Sequence, residues 1–238
     1  MTKAKAPVAQ ADTRWSLVAA ARGGGSPGSV QELCARYWYA VYAFLRRSGN
    51  SPALAQDIAR CFFHRLVSER LGTIDTRSKG RFRDFVLGDL RDLLVQGWRT
   101  LPVQEPMAGL GSPLRVDQLE IRYATDCSER DTPERAFENA YAHTVVTHSL
   151  ERLRAEAEAA GRGALYAGLQ PFIASEPGTD QQAAICAALG VRPLVVVLGL
   201  RTLRHRLREL IDEDLAETAH DGADVGAERR TLRIVLPD

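Results

Sequence analysis

Residues 51–99 read SPALAQDIARCFFHRLVSERLGTIDTRSKGRFRDFVLGDLRDLLVQGWR. Ser51 stands where a helix cap belongs, and Pro52 follows at the first helical position. Leu54, Ile58, Cys61, Phe62 and Leu66, with the stem of Arg65, then recur three and four residues apart, which predicts one buried face. After a loop, a second helix is predicted from near Lys79. Phe82, Phe85, Val86, Leu90, Leu93, Leu94 and Trp98 keep the same period. Arg77, Lys79, Arg81, Arg83, Arg91 and Arg99 crowd around them. The spacing of Phe82 and Phe85 favours the core over a base-stacking role. Trp98, beside Gln96 and Arg99 at the helix end, is open to either.

The same reading extends outward. Upstream, residues 1–11 are small and polar and predict a disordered tail. Asp12 or Thr13 caps a short helix through Arg22, which the GGGSPG run at 23–28 breaks. Ser29 then caps a helix carrying Leu33, Tyr37, Val41, Phe44 and Leu45, and Gly49-Asn50 ends it. Downstream, Pro102, Pro106, Gly109, Gly111 and Pro113 predict a linker over 101–131, with one ordered piece at Leu114–Tyr123. Thr132 and Pro133 open a helix to about Ala160. Further helices are predicted at Gly163–Ala174, Asp180–Leu189 and Pro193–Ala216. The terminal RTLRIVL fits a strand, a docking helix or a frayed tail equally. There is no strand-rich stretch and no repeat. The expected fold is all-α: two small helical domains, 12–100 and 132–216, joined by the flexible linker and followed by a tail at 217–238.

Composition narrows the function classes. A 238-residue chain with 45% hydrophobic residues builds real cores, and a net charge of +1 gives no global attraction to nucleic acid. Cys34, Cys61, Cys127 and Cys186 match no zinc spacing. Cys34, Cys61 and Cys186 fall on apolar positions and are expected as buried small hydrophobes. The N-terminus lacks the apolar core of a signal peptide and no apolar run reaches a membrane span, so a reducing cytoplasm is expected. His143 and His148 stand five apart, off a shared helix face, and GGGSPG lacks the lysine of a phosphate loop. No enzyme, metal or cofactor is expected.

Asp180–Arg208 reads DQQAAICAALGVRPLVVVLGLRTLRHRLR. Ala183, Ala184, Ile185 and Ala188 form a small-residue helix, Leu189-Gly190-Val191 a tight turn, and a longer helix follows with Arg201, Arg204, Arg206 and Arg208. Gly190 suits the left-handed conformation of a helix end. This is the pattern of a helix-turn-helix, whose second helix enters a major groove. It is also a common pattern in helical bundles with a solvated basic face.

Taken together, the segments resemble an RNA polymerase sigma factor of the extracytoplasmic-function (ECF) type. RYWYAVYAFLRR at 36–47 resembles the opening helix of that family's first conserved domain. SPALAQDIARCFFHRLV at 51–67 resembles its core-binding helix, and GRFRDFVLGDLRDLLVQGWR at 80–99 its promoter-melting helix. TPERAFENAYAHTVVTHSLERLRAE at 132–156 and the segment 180–208 resemble the second conserved domain. The resemblance covers most of residues 13–215. It implies promoter-specific transcription initiation with RNA polymerase core and promoter DNA as partners. Asp57, Arg60, Cys61 and His64 would meet the polymerase core. Arg81, Arg83, Arg91, Trp98 and Arg99 would meet single-stranded promoter DNA. Arg192, Arg201, Arg204, His205 and Arg208 would meet duplex DNA.

Two departures qualify that expectation. The family's core-binding helix is acidic, whereas this one reads Ala53, Leu54, Gln56, Arg60 and Cys61, with Asp57 alone retained. A phosphate on Ser51, near Arg46 and Arg47, would return charge at the positive end of the helix dipole. Some sigma factors lacking these acids are controlled by Ser/Thr kinases in this way, so Ser51 reads as a phosphosite or as an ordinary cap. The recognition helix, in turn, opens with Pro193-Leu194-Val195-Val196-Val197-Leu198-Gly199, which suits thymine methyls or a protein partner. A kinase or anti-sigma factor is a further expected partner. The alternative function is a sigma-like adaptor that binds a protein and no promoter.

Overall fold

The computed structural model describes residues 27–73, 81–97, 114–217, 225–232 and 234, and these are helical throughout, joined by turns. Helix α1, Pro27–Arg47, is the axis of the fold. Every residue from Tyr37 to Leu45 is buried, because a helix apolar on all sides has no face to give to water. Its tyrosines keep polar tips, and buried hydroxyls need partners. Helix α4, Val116–Asp126, supplies them for Tyr39 and Tyr42. Tyr42 Oη donates to Glu120 Oε1 at 2.6 Å, and Tyr39 Oη to Asp126 Oδ2 at 2.8 Å. Arg46 closes the same contact, reaching both Glu120 oxygens at 2.7 and 2.8 Å.

Helix α2, Pro52–Arg65, starts at the expected cap, with Ser51 Oγ accepting from the Leu54 amide at 3.3 Å. It runs on through a π turn at Leu66–Arg70 and a 3-10 turn at Leu71–Thr73. Phe63 stacks on Trp38 of α1 at 5.0 Å. Helix α3, Phe82–Gln96, sets Phe82 in the core, edge-on to Tyr37 at 5.2 Å. It is tied to α2 by Asp89, which is 3% exposed and lies 2.9 Å from Arg70 and 3.6 Å from Arg65. Burial pushes the Asp89 carboxyl upward against the pull of both arginines.

Helix α5, Pro133–Ala159, begins where Thr132 caps the Arg135 amide at 3.2 Å. It lies along α1, with Tyr141 stacked on Tyr37 at 5.0 Å. After it come α6, Gly163–Leu169, and a 3-10 turn at Gln170–Phe172. Pro171 brings no amide donor to that turn. Helices α7, Thr179–Leu189, and α8, Pro193–Ala216, follow, and the short α9, Val225–Thr231, completes the described chain. The main buried cluster takes in Leu33, Phe62, Phe82, Phe137, Leu207, Leu210, Ile211 and Leu232 together. It therefore runs through both segments expected as separate domains. A smaller cluster, Leu169, Val196 and Leu200, joins α6 to α8.

Several expectations change. Helix α1 begins two residues ahead of Ser29, which lies within it. Helix α6 stops at Leu169 rather than Ala174. The piece expected at Leu114–Tyr123 is a helix from Val116 to Asp126. In the C-terminal segment, Val225–Thr231 is a helix and Leu232 is buried against the core, whereas residues 233 and 235–236 of the RTLRIVL end, left open between three forms, lie outside the described residues. Cys34 is buried and its thiol is pushed up to about 12, but Cys61 and Cys186 are only half-buried. The tail at 1–11, the helix at 12–22, residues 98–100 at the end of the expected first domain and residues 101–113 of the expected linker lie outside the described residues. No single helix among those described is long and apolar enough to cross a membrane.

Candidate nucleic-acid interface

Helix α2 turns Ala53, Asp57, Arg60 and His64 outward along one stripe, while Leu54 packs partly against the core. Asp57, the one carboxylate left on this face, is itself paired with Arg60 at 3.0 Å. The stripe therefore offers a partner almost no net negative charge. Cys61 and His64 are half-buried at its edge. Ser51 is exposed, as a modifiable hydroxyl must be. Of the two arginines expected beside it, Arg47 is committed to the Asp131 carbonyl, whereas Arg46 pairs with Glu120 and also donates to the carbonyl of Asn50, next to Ser51. A phosphate on Ser51 would sit at the positive end of the α2 dipole, beside Arg46.

On α3 the expected DNA arginines divide. Arg91 is half-exposed and pairs with Glu134 at 2.7 Å. Arg81 lies 2.5 Å from Glu228 of α9. Arg83 is 3% exposed and lies 3.0 Å from the same carboxylate, which corrects its expected place on an open DNA face. Trp98 and Arg99 lie outside the described residues.

Helices α7 and α8 meet at 99° across a short turn. Gly190 makes the turn in the left-handed region, at φ +64°. A Cβ at Gly190 would meet nothing within 4 Å, so only backbone strain opposes a side chain there. Gly190→Ala is expected to cost about 1 kcal/mol, read as a shift in urea midpoint at unchanged slope. Gly199 has the opposite constraint, for its Cβ would come 2.8 Å from Leu169 Cδ1. That close approach lets α8 lie against α6.

The outward side of α8 begins with Leu194, Val195, Val197 and Leu198, all exposed, and continues with Arg201 and His205. Arg192 is exposed ahead of the helix, and Arg208 is half-buried. Arg204 belongs to none of this. It is 3% exposed and donates to the carbonyls of Ile173, Phe172 and Ser175 at 3.1, 3.1 and 2.8 Å, and also pairs with Glu176. It closes the end of α6 and its 3-10 turn, so the expectation that it reads duplex DNA is corrected.

Sequence reasoning missed the hub at the other end of α8. Asp214 is 1% exposed. It accepts from His148 Nδ1 at 2.7 Å, Ser149 Oγ at 3.0 Å and Arg152 Nη1 at 2.8 Å, with Arg36 at 4.0 Å. Burial opposes its charge, but His148, Arg36 and Ser149 outweigh it and hold the carboxyl below the usual range. The hydrogen bond to Asp214 raises His148 in turn, against partial burial. With its folded value raised, His148 contributes stability in full below the unfolded value near 6.5 and loses it as pH rises through the folded value. His143 is shifted the opposite way, chiefly by burial. The test is therefore a difference: the stability advantage of wild type over His148→Gln, followed by urea unfolding between about pH 5 and 9, shrinks toward the alkaline end. Among the described residues, no group of three or more His, Cys, Asp or Glu side chains is placed to hold a metal.

Compared with protein-family models, curated proteins and solved structures, the chain matches none of them.

Proposed function

We propose that this chain is a sigma-type promoter-specificity factor that binds RNA polymerase core and DNA. The observation that carries the proposal is the α7–α8 pair. A short turn with a left-handed glycine sets two helices at 99° and leaves the outer side of α8 free along its first turns. That is the shape a helix-turn-helix offers to a major groove. In this reading α1–α3 form the polymerase-binding and promoter-melting unit, and α5–α8 form the duplex-reading unit. Arg192, Arg201 and His205 supply the polar contacts, and Leu194, Val197 and Leu198 meet thymine methyls. Polymerase core docks on the Ala53–Asp57–Arg60–His64 stripe, and a phosphate at Ser51 restores the negative charge that the stripe lacks.

A second reading has specific support. Four exposed aliphatic side chains open α8, Arg204 is spent inside the fold, and one core spans both units. These features suit a sigma-like adaptor that holds a protein partner and reads no promoter. The deciding experiment is a pull-down of polymerase core with wild type and Ser51→Asp, followed by run-off transcription. Core capture with a specific transcript supports the sigma reading. Failure of both proteins to capture core leaves the adaptor.

A further inference from the structure

Helix α9 reaches back from the C-terminal end of the chain to α3. Leu232, just past its end, is buried in the main cluster, Val225 and Ile234 pack against that cluster, and Arg229 holds both oxygens of Asp212 on α8 at 3.1 Å. From this seat Glu228, 5% exposed, enters between Arg81 and Arg83 at the start of α3. The fit is close in distance but poor in alignment. Arg83 Nε and Nη1 and Glu228 Oε2 are buried without hydrogen-bond geometry to any group. Such buried polar groups cost free energy where they stand. Burial raises the Glu228 carboxyl against the pull of Arg83 and Arg81, and the nearby charges of Asp84 and Glu138 add to the rise. The contact is thus a carboxylate set on two arginines that a phosphate, with its fork of oxygens, would satisfy better.

We propose that residues 225–232 form an autoinhibitory strap: Glu228 occupies the place on Arg81 and Arg83 that a single-stranded DNA phosphate takes, and α9 lifts from α3 before DNA enters. This rests on the sigma reading for the role of α3. It also explains why a helix meant for DNA has its first two arginines covered by an acid from the far end of the chain.

The test uses the full chain, a labelled oligothymidylate and titration at several salt concentrations. Glu228→Gln is expected to bind about tenfold tighter than wild type, the scale of one charge-assisted hydrogen bond. Its salt dependence steepens by about 0.7 for each phosphate newly held, which a merely structural change would not produce. Adding Arg81→Gln and Arg83→Gln to Glu228→Gln abolishes the gain. Hydrogen exchange at 225–232 reports whether the strap has lifted. No gain in affinity for Glu228→Gln, whether or not exchange there quickens, overturns the strap. A polymerase-core pull-down on the same proteins, each also carrying Ser51→Asp to supply the charge that the α2 stripe lacks, separates the two ideas. Tighter DNA binding without core capture keeps the strap and sinks the sigma reading, whereas core capture with unchanged DNA binding sinks the strap alone.

Discussion

Asp214→Ala is expected to lower folding stability by about 3 kcal/mol, the low end of what breaking a buried ion pair costs. The carboxylate joins three helices. His148, Ser149 and Arg152 reach it from α5, and Arg36 approaches from α1. Truncation strands these groups unequally. Ser149 is fully buried and keeps an unanswered hydroxyl. Arg152 retains Glu213 at 2.6 Å, and Arg36 retains Glu217 at 2.6 Å and Glu32 at 3.0 Å, so neither cation is left alone. That partial rescue holds the loss to the low end. For a chain of this size, it lowers the melting temperature by about 6–12 °C. Asp214→Asn keeps an acceptor for Ser149 and loses the charge, and its loss should fall between wild type and Asp214→Ala. Urea unfolding of the three proteins gives the order directly. An Asp214→Ala protein as stable as wild type would mean that the hub holds nothing together.

What the sequence made legible was local. Ser51-Pro52 and Thr132-Pro133 marked helix starts because caps and first-turn prolines act within four residues. Gly190 marked a turn because only glycine enters the left-handed region freely. Helix α8 spans Pro193–Ala216, as its periodicity predicts. What stayed hidden was long-range pairing. Arg83 and Arg204 look in sequence like solvated basic residues, yet one is buried under Glu228 and the other on the carbonyls that follow α6. Nothing at i+3 or i+4 announces such a partner. The full burial of α1 had a readable trace, for YWYAVYAFL at 37–45 has no polar face at all. Its consequence, one core running from α1 to α8, depends on α5 lying along it, and periodicity does not specify which helices meet.

Under the proposed function, the largest functional effect is expected from placing acids on α2. The structure narrows where they can go. Leu54 packs partly inward, so a carboxylate there would injure the core before it met a partner. Ala53 and Arg60 are exposed on the outward stripe, and exposed substitutions change folding little. Ala53 also stands in the first turn, where an acid favours the helix dipole. Arg60→Glu has a double action: it removes a positive charge and frees Asp57 from its 3.0 Å pair. If the stripe is the docking face, each charge-assisted hydrogen bond regained at a buried contact contributes about 1.5–3 kcal/mol. Two of them tighten polymerase-core binding by about 100-fold or more. Ser51→Asp, which keeps a good cap and adds one charge at the helix start, should give about tenfold by the same scale. Because these gains are electrostatic, they should shrink as salt rises, whereas an apolar docking surface would be indifferent to it. Titrating polymerase core against wild type, Ser51→Asp and the Ala53→Glu/Arg60→Glu double variant at two salt concentrations measures both features. Equal affinities across the three would place the partner surface elsewhere, and the exposed Leu194–Leu198 face of α8 would become the one to test.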